Sequence, residues 1–142
     1  MTEKTGVKQE TTDEKVVILS KDLIFAADDI ERVYVPTPEW GGGVYVRGMT
    51  GAERDEYEQS LVRGKGRNQE INVKNARAKL VVRCAVDEQG RQLFGKDDFR
   101  RLGSKSAKAL DRIYAVARDL SGVSDEDIDE LTKNYEKTTF DD

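Results

Sequence analysis

From Val33 to Leu61 the chain reads VYVPTPEWGGGVYVRGMTGAERDEYEQSL, and this stretch decides the fold. Two runs rich in β-branched and aromatic residues, Arg32–Val35 and Val44–Arg47, are separated by prolines and by Gly41-Gly42-Gly43. That pattern predicts two strands joined by a long hairpin loop. Pro36 and Pro38 interrupt the first run, and Pro38 must lie off any central strand position because it has no N–H to give a ladder. A two-stranded ribbon is marginal by itself and must pack on helices, with Trp40 helping to cover it. Gly48-Met49 then turns the chain. Thr50, followed three residues later by Glu53, is the signature of a capping box that opens a helix. Tyr57 and Leu61 lie four apart on one face of that helix, which is expected to stop near Arg63-Gly64.

On the N-terminal side, Val16-Val17-Ile18-Leu19 is the first apolar run. Ser20 can cap a short helix through Ala27, with Leu23, Ile24 and Ala27 on one side; a strand over Val16–Leu19 is the rival reading. Residues 1–15 offer little to bury and predict a disordered tail, since ordering them would cost chain entropy with little return. On the C-terminal side, Gly64–Asn68 reads as a flexible basic loop. A helix is expected from about Val73 to Val86, with Val73, Ala76, Leu80, Val81, Cys84 and Ala85 forming its apolar stripe. Asp87–Gly90 is a turn, Arg91–Phe94 a short extended piece, and Asp97–Leu102 a helical turn closed by Gly103. The clearest helix runs from near Ser104 to Leu120 and ends at Ser121-Gly122. Ser124 opens a last helix, with Val123 and Ile128 placed as a hydrophobic staple and Ile128, Leu131 and Tyr135 facing inward.

These elements predict an α+β fold: a mainly helical single domain over residues 16–136, with a small N-terminal β-hairpin packed on about four helices. Residues 137–142 form an acidic end expected to fray.

A chain of 142 residues can bury a core without a disulfide or metal. Its one cysteine, Cys84, cannot form an intrachain disulfide, and there is no histidine to serve as general base or zinc ligand. The 24 basic and 28 acidic residues give a net charge of -4, which disfavours non-specific DNA binding. No apolar window is long enough to span a bilayer, and residues 1–15 lack the apolar stretch of a signal peptide, so a cytoplasmic location is expected.

Motifs that carry chemistry are weak. Gly90–Asp97 has the glycine and lysine spacing of a P-loop, but Asp97 stands where a magnesium-binding serine or threonine belongs. A turn anchored by Leu93 and Phe94 explains it better. The acidic run Asp125, Glu126, Asp127, Asp129 and Glu130 fails the calcium-loop spacing and suits the positive end of a helix dipole. Arg63, Lys65, Arg67, Lys74, Arg77 and Lys79 form the densest basic region, without interleaved aromatics for base stacking. Cys84 lies within an apolar stripe, and Glu53, Asp55, Glu56 and Glu58 crowd one helix instead of flanking a cleft. No catalytic residue, metal ligand or cofactor site is expected. Trp40 reads either as a plug for a small core or as an interface anchor.

Pro38-Glu39-Trp40-Gly41-Gly42, followed by Val44-Tyr45-Val46-Arg47-Gly48-Met49-Thr50-Gly51-Ala52-Glu53-Arg54-Asp55, resembles the tail assembly chaperones of long, non-contractile-tailed bacteriophages, the siphoviruses. The likeness takes in Phe25–Asp29, Asn75–Val81, Asp87–Phe94, Leu102–Ser121 and the acidic segment from Ser124. The resemblance implies a non-enzymatic viral protein that binds the tape measure protein and assists recruitment of tail tube subunits. It implies action in the bacterial host cytoplasm and absence from the mature virion. A chaperone for a long helical client needs exposed patches that exchange. Trp40 and Tyr45 are the candidate apolar anchors for that client, and Arg47 and Arg54 could add polar specificity. Rival readings are an adaptor for another partner, a small nucleic-acid-binding regulator using Arg63–Lys79, and an enzyme using only backbone or carboxylate groups. No membrane partner is expected, and self-association is compatible with the sequence.

Overall fold

A computed structural model describes residues 15–124. The expected tails, the acidic run and the helix from Ser124 onward lie outside the described residues. The described chain is an α+β domain with five α-helices and two small sheets.

The first sheet has the order β1-β2-β5. Strands β1 (Arg32–Thr37) and β2 (Gly42–Arg47) pair antiparallel in a register running from Arg32↔Arg47 to Thr37↔Gly42. Both strands are longer than the sequence pattern suggested, and Pro36 sits inside β1. The register explains why. The Gly48 N–H donates to the Glu31 carbonyl at 3.2 Å, so the odd-numbered residues of β1 bond to β2 and the even-numbered ones point their backbone groups outward. Pro36 thus occupies a position where no N–H is needed, and β1 is an edge strand. The connection is one 3₁₀ turn, Pro38–Trp40, closed by Gly41 at φ 79°. The Thr37 hydroxyl, buried, donates to the Gly42 carbonyl at 3.0 Å and ties the two strand ends together.

Helix α1 (Lys21–Ala26) is capped by Ser20, whose side chain accepts from the Leu23 N–H, and it buries no residue. Helix α2 (Gly51–Ser60) opens with the expected capping box: Thr50 accepts from the Glu53 N–H while Glu53 accepts from the Thr50 N–H. It ends three residues before the expected stop. Leu61 caps it, and Val62–Arg63 (β3) pairs with Glu70–Ile71 (β4) in a second hairpin whose tip is the basic loop. The single-hairpin expectation is therefore corrected to two sheets.

Helix α3 (Ala76–Cys84) is shorter than expected at both ends. Asn75 precedes it in the left-handed region at φ 62°, a conformation asparagine tolerates. Ala85–Val86 leave the helix to become β5, which pairs with Tyr45 and Val46 and takes up the outward backbone groups of β2. A 3₁₀ turn at Lys96–Asp98 leads into α4 (Phe99–Leu102), and α5 (Ala107–Leu120) follows, with Ser106 as its side-chain cap. Gly122 at φ 71° closes α5.

One core joins these elements. Val35 and Val46 from the sheet, Tyr57 and Leu61 from α2, Leu80, Val81 and Cys84 from α3, and Ile113 and Ala117 from α5 are all buried. Helix α5 lies against α3 and against the inner face of β1 and β2.

Candidate functional site

The junction between β2 and α2 is held by a cluster of side-chain hydrogen bonds. Arg47 closes over it: Nη1 donates to Glu53 Oε1 at 2.8 Å and to the Gly48 carbonyl at 2.9 Å, and Nη2 donates to Glu53 Oε2 at 2.7 Å. This two-pronged pair holds the Glu53 carboxyl at about 2, against 4.5 ordinarily, chiefly through the Arg47 hydrogen bonds. Glu53 in turn holds the guanidinium charged. Beneath it, Gly48 packs directly on the end of α5. A Cβ there would lie 2.7 Å from the Leu120 carbonyl oxygen. The Met49 N–H donates to Ser121 Oγ at 2.9 Å.

On the outer face of the sheet the register brings together Arg32, Tyr34, Tyr45 and Arg47. The Tyr34 and Tyr45 rings meet edge to face at 5.7 Å, and the Arg32 guanidinium stands 4.5 Å over Tyr45. The Tyr34 ring lies across Gly43, where a Cβ would collide with it. Tyr34 is 55 % exposed. Sequence reading singled out Tyr45 and passed over Tyr34; the repeated Val-Tyr-Val of the two strands was the signal, since pairing sets the two tyrosines opposite one another.

Trp40 sits at the other end of the hairpin, partly buried against the core. Its neighbour Glu39 forms a two-pronged pair with Arg112 of α5 at 2.7 and 2.8 Å, which holds the Glu39 carboxyl at about 2. Arg54 lies on α2 and pairs with Glu58 at 3.2 Å. Of the four residues singled out from sequence, Tyr45 and Arg47 share the outer sheet face, Trp40 marks the tip, and Arg54 belongs to the helix.

The remaining candidates take structural places. The Cys84 thiol is buried, and burial pushes it up to about 11. The Gly95 N–H of the P-loop-like segment already donates to Asp98 Oδ2 at 2.8 Å. Phe94 of that segment packs on the core, whereas Leu93, expected as a second anchor, is 46 % exposed. In the basic region, Lys79 donates to the Ser60 carbonyl and stands over the Phe99 ring, and Arg77 pairs with Asp111. Among the described residues no group of three or more side chains could hold a metal ion, and no helix is long and apolar enough to cross a membrane.

The Cys84 thiol is thus covered, and the carboxylates of Glu53, Glu39 and Asp98 are taken up by ion pairs and caps. The chain belongs to the phage tail assembly chaperone family, whose model matches residues 19–134. It is a non-enzymatic viral protein of tail assembly. No curated protein and no solved structure shows significant similarity to it.

Proposed function

We propose that this chain binds the tape measure protein of a siphovirus and assists recruitment of tail tube subunits around it. It would act in the bacterial cytoplasm and leave before the virion is complete. The observation that carries this reading is the family match over residues 19–134. The outer face of the hairpin adds a physical basis. Tyr45 and Tyr34 present aromatic surface beside Arg32, the combination found in anchors of protein interfaces. Trp40, partly buried at the hairpin tip, is the second apolar anchor. Arg47 and Arg54 supply polar rims whose carboxylate partners could be exchanged for groups on a client.

Co-expression with the tape measure protein tests the reading. Co-purification and improved client solubility are expected; a client that neither co-purifies nor gains solubility would sink it. Tyr45→Ala and Trp40→Ala separately test the anchors, and full retention of client by both folded variants would remove the hairpin from the contact.

A further inference from the structure

The start of the described chain carries an apolar arm. Every side chain from Val16 to Leu19 and from Leu23 to Phe25 is more than half exposed, and Val16 reaches 85 %. A monomeric domain rarely shows a contiguous apolar patch beyond a few hundred Å². These seven side chains offer an area on the order of the ~800 Å² that one partner contributes to a standard-size interface.

A receiving surface lies on the same chain. Where the arm joins the fold, Glu31 and Val33 form one wall of an open groove of about 820 Å³, and Val116, Asp119, Leu120 and Val123 form the other. Val33, Val116, Leu120 and Val123 give it apolar surface, and Glu31, Asp119 and Arg118 give it charges of both signs. The arm likewise carries both signs, Lys15 and Lys21 flanking its first apolar run and Asp22 beside them, so each charge has an opposite to meet on the groove. The β1 edge beside the groove is open at Arg32 and Tyr34, whose backbone groups point away from β2 in the register set by the Glu31–Gly48 bond. An extended Val16–Leu19 segment matches that edge.

We infer that Lys15–Ala26 docks into this groove on a second copy of the chain, each copy giving its arm to the other. The arm leaves the fold at the groove's own wall. A two-fold axis beside Glu31 therefore lays each arm across its partner's groove, uses the contact twice, and closes the assembly as a dimer. This contact uses neither the hairpin tip nor a client, so it stands apart from the tape-measure reading.

Light scattering and sedimentation of the full chain test it without any client. The wild type is expected to be a dimer that dissociates on dilution. The double variant Ile18→Glu, Phe25→Glu should halve the mass while keeping the circular dichroism spectrum, because neither side chain is buried. Ala115→Glu should also give a monomer; Ala115 is an exposed residue of α5 that lines the groove. Mixing the arm variant with the groove variant leaves one intact arm and one intact groove, and a tagged pull-down should recover the mixed pair. A wild type that stays monomeric overturns the inference, as does an arm or groove variant that keeps the dimer mass, or a mixture that yields no cross-complex.

Discussion

Arg47 binds three acceptors at once, and the geometry explains why the turn after β2 is so sharply formed. The Glu53 carboxyl, held at about 2 against 4.5 ordinarily, ties that turn to pH. A carboxyl depressed on folding contributes stability that is fully present above 4.5 and is lost as pH falls toward about 2. Acid titration of the unfolding midpoint should therefore show a steep loss across that window. Glu53→Gln should make it shallower, leaving the share of the Glu39–Arg112 pair, while lowering stability at neutral pH; an unchanged acid limb would contradict the assignment. Gly48 gives a second residue-scale outcome. With the Leu120 carbonyl 2.7 Å from where a Cβ would stand, Gly48→Ala should destabilise by about 1–3 kcal/mol, as overpacking does. Urea unfolding should show a lower midpoint at unchanged slope. Half of this junction was legible in the sequence. The Thr50–Glu53 spacing announces its own cap, because capping is local. The bond from Arg47 across the turn to Glu53, and that from Met49 to Ser121, depend on how the chain returns, and no local pattern encodes them.

Helix caps separate elements that hold the domain together from one that does not. Thr50 caps α2, which places Tyr57 in the core. Thr50→Ala should cost about 1 kcal/mol of global stability, the usual loss for a side-chain cap. Ser20 makes the same kind of bond at α1, which buries nothing. At dilutions where the chain is monomeric, Ser20→Ala should leave the urea midpoint of the domain unmoved. The pair of measurements would fail if both variants shifted alike. At this scale, α2, α5 and the main hairpin could be read from the sequence because caps, three-four periodicity and strand pairs repeat. The β3–β4 hairpin could not, since two-residue strands are too short to alternate. The end of α3 was misplaced for a related reason: Ala85 and Val86 continue an apolar stripe equally well as helix or strand. What decides for β5 is the backbone of Tyr45, distant in sequence, which needs a partner on its outer side.

As a whole, the molecule wraps its single thiol at the centre of the packing among sheet, α3 and α5. Thiolate is the reactive form, and Cys84 is both covered and raised to about 11. Alkylation followed by mass spectrometry should proceed only as fast as the domain opens and accelerate with denaturant. Rapid labelling of the native protein would show that this core is not closed. The family assignment was legible from the hairpin motif before any fold was known. The groove beside Glu31 was not, because it is assembled from β1 and α5, elements far apart in the chain. The Pro38–Trp40 turn has a last consequence, and it is optical. Trp40 is the chain's only tryptophan, and its neighbour Glu39 is moored to α5 through Arg112. Its fluorescence is thus a label-free gauge of the seam between hairpin tip and helix. A red shift of its emission, without any change in helix content, would mark the moment when the tip lifts away from a folded body.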